Sequence, residues 1–188
     1  NKNGQKFSEE LEKRIEVKLT EEMVPVDSIN LGKATRMSDA QERYIEFCKI
    51  PFTDLDLSDL NILLDCANGA TYSVAPKVFT ELGANIETVA ANPDGININQ
   101  NCGSTNPDFL KDQMSKGNYD MGIAFDGDGD RILIISSEGN ILDGDDILFI
   151  LSQKLPPNSG VVGTLMTNKA LELHFQKNNI DFHRADVG

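Results

Sequence analysis

The chain has 188 residues, 39% hydrophobic and 25% charged, with fifteen glycines and seven prolines; this composition fits a soluble globular protein and excludes a collagen-like or strongly disordered one. The formal net charge of −13 repels phosphate backbones and anionic lipid surfaces, and no Lys/Arg run supplies a basic patch, so a small-molecule or cation partner is expected, with no nucleic acid and no membrane. The longest apolar run, Ile147 to Leu151, is too short to cross a bilayer, and NKNGQKF is no secretory signal, which makes cytoplasmic the expected location.

The opening Asn3-Gly4 pair is turn chemistry, and FHRADVG stops just after an apparent strand, so a segment of a longer protein is expected. Ser8 with Glu9 and Glu10 starts a helix whose apolar face is Leu11, Ile15 and Leu19 and which ends before Pro25. A second helix begins at Ser38, where Ser38 to Gln41 has the spacing of a capping box; Ala40, Tyr44, Phe47 and Cys48 form its stripe, and Pro51 closes it. A buried strand, Asn61 to Asp65, leads into a helix from Thr71 to Leu82 with Gly83 as its cap; Pro76 predicts a late start or a kink there. Next come a strand near Ile86 to Ala90, a polar loop, a helix near Pro107 to Lys116 and a strand near Tyr119 to Phe125. From Arg131 the pattern changes to two short strands joined by a hairpin turn at Ser137 to Asn140. A fresh unit follows: helix Gly144 to Lys154, the breaker Pro156-Pro157, strand Gly160 to Leu165, helix Asn168 to Asn178 and strand Ile180 to His183. The fold class is therefore α/β, a mixed β-sheet sandwiched by helices, with boundaries near Ser38 and Ile141 that divide the chain into 1–37, 38–140 and 141–188.

The chemistry concentrates in FDGDGDR, Phe125 to Arg131. In an α/β sheet ligands gather beyond the carboxyl ends of the strands, where this stretch falls. Kept extended, the loop would hold Asp126, Asp128 and Asp130 on one side but about 6.6 Å apart, too far for one cation to touch all three. It must curl, which Gly127 and Gly129 permit. Three carboxylates drawn together in a cleft need a cation, and hard oxygen ligands suit Mg²⁺, Ca²⁺ or Mn²⁺ better than Zn²⁺. An EF-hand is excluded, because its sixth and twelfth positions would be Arg131 and Ser137. Asp126 and Asp128 also match the D-x-D of aspartate-nucleophile phosphatases, although Asp130 stands where Thr usually follows. A noncatalytic cation-binding domain and a plain solvated turn are the remaining readings. Arg131 beside the carboxylates is suited to phosphate oxygens, or to a salt bridge with its own neighbours.

Other polar residues have ordinary readings. His174 in a helix and His183 at a strand end lack paired ligand spacing. Asp143, Asp145 and Asp146 complement a helix dipole, Asp65 and Asn68 suit a turn and a cap, and Lys33 and Arg36 lie in a loop. Cys48, Cys66 and Cys102 are widely spaced and odd in number, which reads as ordinary thiols.

On these residues the chain resembles the α-D-phosphohexomutase superfamily, whose D-G-D-G-D-R loop is matched at all six positions from Asp126 to Arg131. DCANGATYSVAP (Asp65 to Pro76), PDGININQNCGSTNPD (Pro93 to Asp108) and RYIEF (Arg43 to Phe47) look most like its bacterial phosphoglucosamine mutase branch, with Asn106 where many relatives have His. The resemblance implies a four-domain enzyme, of which 1–37 is the tail of domain 1, 38–140 all of domain 2 and 141–188 the first half of domain 3. It further implies an Mg²⁺ ion on Asp126, Asp128 and Asp130, a supporting role for Arg131 near the phosphoryl group, and a sugar 1,6-bisphosphate as activator. The expected substrate is a phosphosugar, glucosamine 6-phosphate going to glucosamine 1-phosphate, with glucose or mannose phosphates as the alternative. The full-length enzyme is compatible with a homodimer. The phosphoserine nucleophile would lie outside this chain, since no serine here has the S-H-N-P context. The segment alone is then expected to be inactive.

Overall fold

A computed structural model describes residues 5–156 and 159–187. The Asn3-Gly4 turn pair and Pro157 of the expected breaker lie outside the described residues. Contacts divide the chain into two compact units, Asn1–Ser38 and Asp39–Gly188.

The first unit carries helix α1, Glu9–Thr20, and a 3₁₀ turn, Ser28–Asn30. Ser8 caps α1 as expected: its hydroxyl accepts the Leu11 N–H at 3.4 Å, and Glu9, Glu10 and Glu12 load the first turn against the dipole. No residue of α1 is buried.

The second unit holds helices α2, Ala40–Lys49; α3, Ala75–Glu81; α4, Pro107–Met114; α5, Gly144–Ser152; and α6, Lys169–Lys177. Its strands are β1, Asn61–Asp65; β2, Asn85–Val89; β3, Met121–Phe125; β4, Ile132–Ser136; β5, Ile141–Leu142; β6, Gly160–Thr164; and β7, Asp181–Ala185. Five of them form a mixed sheet in the order β2-β1-β3-β4-β5, in which β1 runs parallel to β2 and β3 while β4 and β5 are antiparallel. The other two make a parallel pair, β6-β7.

Strand β1 lies inside the sheet between β2 and β3, and four of its five residues are buried. Its alternation sends Ile62 and Leu64 to one face, with Ala75, Ala84 and Ile123, and Leu63 to the other, with Leu110, Ala124 and Ile135. A near-continuous apolar strand is what a sheet covered on both faces requires. The smaller sheet has its own cluster, Val161, Leu171 and Phe175, against which Leu148 of α5 packs.

Helix starts depart from the sequence reading in two places. The expected capping box at Ser38 does not form: Asp39 is the N-cap and makes no side-chain cap bond. Its carboxylate pairs with Arg43 Nε at 2.8 Å, and Gln41 reaches the Ser73 carbonyl at 2.8 Å. The buried residue of α2 is Ile45, whereas Tyr44 and Phe47 stack on each other in the open. Along the expected Thr71–Leu82 helix, a 3₁₀ segment, Ala70–Ser73, precedes α3, with Pro76 in the first turn where its missing N–H costs nothing.

Candidate functional site

The strand order places a switch point at the carboxyl ends of β1 and β3. The connection from β1 through α3 leads outward to β2, and the connection through α4 returns across β1 to β3. Loops that leave adjacent parallel strands in opposite directions open a crevice between them. Here Asp65 ends β1, and Asp126 follows the last residue of β3 directly.

The aspartate loop curls. One carboxylate oxygen each from Asp126, Asp128 and Asp130 lies within 4.8 Å of the others. Gly129 turns the chain at φ +75°, a conformation that a side chain would strain. The neighbouring loop approaches closely from the other side: Ala70 N–H donates to the Gly127 carbonyl at 2.8 Å, and a Cβ on Gly69 would sit 2.2 Å from that same oxygen. Ile98 and Asn99 cover Gly127 from the β2–α4 loop, and Ser104 N–H holds the Phe125 carbonyl at 2.8 Å. Ala67, Asn68, Asn99 and Asn101 all have positive φ, so backbone strain collects in the loops around this crevice.

Asp126 is 1% exposed, while Asp128 and Asp130 face solvent. Both Asp126 oxygens engage Arg131: Oδ1 accepts the backbone N–H at 3.0 Å and Oδ2 accepts Nε–H at 2.7 Å. Burial would raise the Asp126 carboxyl, but the Arg131 bonds and guanidinium charge outweigh it and hold the group below the usual carboxylate range. The charge of Asp128, then burial and Asp126, push Asp130 up instead. Arg131 therefore makes the salt bridge to its neighbours that one reading gave it, meeting Asp126 and, at 3.5 Å, Asp130 through Nε. As a nucleophile Asp126 is poorly placed, since it is buried and both its oxygens are committed.

Three oxygens at this spacing suit a divalent cation. Metal–oxygen distances of ~2.1 Å for Mg²⁺ or ~2.4 Å for Ca²⁺ put neighbouring ligand oxygens ~3 Å apart and opposite ones ~4–5 Å apart. Two exposed carboxylates and a buried one form such a donor set, in which Asp126 would offer the lone pairs that its Arg131 bonds leave over.

Asp65, read from the sequence as a turn former, accepts the Ala67 N–H at 2.9 Å in keeping with that reading. It also accepts the Gly103 N–H at 2.6 Å, a tie spanning 38 residues that no local spacing signals. Burial raises its carboxyl, and those two N–H bonds pull it back only in part. Asn68 likewise holds Asn92 N–H at 3.1 Å across the crevice wall. Asp143 and Asp146 form a capping box on α5, and Asp145 accepts Asn168 N–H at 2.9 Å. His174 lies edge-on to Phe149, and His183 lies within β7. Lys33 and Arg36 are exposed in the first unit. All three cysteines are free thiols, and burial pushes the Cys66 thiol up to about 11. Among the described residues no helix is long and apolar enough to cross a membrane.

Residues 42–139 match the family model described as phosphoglucomutase/phosphomannomutase, alpha/beta/alpha domain II, and residues 143–188 match the one for domain III. A phosphoglucosamine mutase of Acinetobacter baumannii is 48% identical over 187 residues, and one of a Marinomonas species is 50% identical over 190. Each comparison covers 98% of this chain, which spans 42% of the length of those relatives. A crystal structure of a phosphoglucomutase/phosphomannomutase family protein from Burkholderia thailandensis superimposes with a TM-score of 0.65 at 23% identity, covering 79% of this chain and 33% of that one. A family match that runs through β1, β3 and the aspartate loop between β3 and β4 places the chain in the phosphoglucomutase/phosphomannomutase family.

Proposed function

We propose that this chain is the cation-holding part of a phosphohexomutase that interconverts glucosamine 6-phosphate and glucosamine 1-phosphate through a phosphoserine and a sugar bisphosphate. The observation that carries the reading is the curled loop, with three carboxylates within 4.8 Å beside an arginine at the sheet's switch point. The names of the relatives at 48% and 50% identity support the amino-sugar substrate.

Asp126, Asp128 and Asp130 would hold Mg²⁺, which when bound neutralises charge on a transferring phosphoryl group. Arg131 meets its acid partners through Nε and its side chain is 67% exposed, which suits the guanidinium to phosphoryl oxygens as well. Buried Asp126 fixes where that guanidinium starts. In this reading 1–37 ends one domain, 38–140 forms the next and 141–188 begins a third. The serine that carries the phosphoryl group belongs to a part of the protein outside this chain, so the segment alone is inactive. The enzyme is cytoplasmic, is primed by the sugar 1,6-bisphosphate, and is compatible with a homodimer.

The test is ³¹P NMR of the full-length protein with Mg²⁺ and the bisphosphate, offered glucosamine, glucose and mannose 6-phosphates in competition. Glucosamine 1-phosphate should appear first and should be lost in Asp128→Asn. Preferential turnover of glucose or mannose phosphate would overturn the substrate, and release of inorganic phosphate alone would overturn the mutase.

A further inference from the structure

Asp65 has no surface exposed, yet it is a carboxylate that follows the buried apolar run Ile62-Leu63-Leu64 at the end of its strand. Burying a charge is costly unless its oxygens are fully used. Both are: Oδ1 takes Ala67 N–H and Oδ2 takes Gly103 N–H. These two residues belong to the two loops that grip the aspartate loop. On one side, Ala67 leads to Ala70, whose N–H holds the Gly127 carbonyl. On the other, Gly103 precedes Ser104, whose N–H holds the Phe125 carbonyl, the last backbone acceptor before Asp126. Asn99 N–H closes the arrangement on the Ala67 carbonyl at 2.8 Å. One fully buried side chain thus joins two walls that also meet through backbone bonds and through the partly buried Asn68, whose Oδ1 accepts the Asn92 N–H.

We infer that Asp65 is a positioning residue for the cation site, holding both walls of the crevice so that the Asp126–Asp130 loop keeps its curl. The inference rests on the cation reading above. Asparagine at this position keeps one acceptor oxygen but leaves one of the two N–H groups unpaired in the interior. Alanine leaves both. A cation that favours the curled loop must in return favour the closed clamp, because coupling between two sites is reciprocal.

The experiment uses the 188-residue chain and Mn²⁺, with free ion counted by EPR. Asp65→Asn should weaken binding about tenfold, the low end for groups that orient metal ligands from outside, and Asp65→Ala should weaken it further. Far-UV circular dichroism should stay that of the folded chain. In parallel, Mg²⁺ added to the unsubstituted chain should slow hydrogen exchange at the Ala67 and Gly103 amides, read by NMR, more than at Val161 on β6. That readout keeps the inference testable if the variants fail to fold. Mn²⁺ affinity in Asp65→Asn equal to that of the unsubstituted chain would overturn it. So would exchange at Ala67 and Gly103 slowed no more than at Val161. Failure of the unsubstituted chain to bind Mn²⁺ would overturn the cation reading itself, and the inference with it.

Discussion

Asp126 combines near-complete burial with a depressed pKa, two properties that usually oppose each other. Arg131 reconciles them by filling both carboxylate oxygens. The folded pKa lies below the ~3.9 of an unfolded chain, so the folded state binds this proton more weakly. Its contribution to stability is full above that value and is lost as pH falls through the folded pKa. With chelator present, the urea midpoint of the unsubstituted chain should exceed that of Asp126→Asn at neutral pH. The gap should hold from about pH 7 to about pH 5 and narrow as pH falls below about 4; a gap that stays constant there would show that the pair does not set the titration. Asp128 differs in being exposed and free of the arginine pairing. Replacing it by Asn should leave the fold intact and act on cation affinity alone.

Elements decide how closely the walls of the crevice can approach. Gly69→Ala would drive a methyl group into the Gly127 carbonyl, a backbone atom that cannot swing aside as a side-chain tip would. Overpacking of this kind costs about 1–3 kcal/mol, and urea unfolding should show that loss together with weaker cation binding. Wild-type stability in this variant would mean that the two loops are not in contact. Leu64, with no surface exposed in strand β1, should cost about 2–5 kcal/mol on truncation to Ala in the same assay. A loss below 1 kcal/mol would contradict the two-faced core. Strand β1 was legible because the apolar run Ile62-Leu63-Leu64, bounded by turn chemistry, leaves few alternatives. Helix α2 was less so: its apolar positions cover more than one arc, and only packing against α3 selects Ile45 over Tyr44 and Phe47. The Ser38 capping box failed for a similar reason, since Gln41 found a better partner in the Ser73 carbonyl, 32 residues away.

For the whole molecule, the sheet order β2-β1-β3 turns a local motif into a site. The sequence shows the acidic loop, because three aspartates alternating with glycines have few other uses. It does not show that Asp65 and Gly103 meet, or that Gly69 lies against Gly127, because those neighbours are created by two crossovers and carry no local signal. Family membership fits the same architecture, with matches to domain II over 42–139 and to domain III over 143–188. In the proposed function the Asp126–Asp130 loop holds one divalent cation. Calorimetric titration of Mg²⁺ into the 188-residue chain, beside Asp128→Asn, tests it most directly. One ion should bind per unsubstituted chain, and binding in the variant should be at least tenfold weaker, equivalent to about 1.4 kcal/mol. Equal affinities in the two chains, or no saturable binding in either, would contradict it.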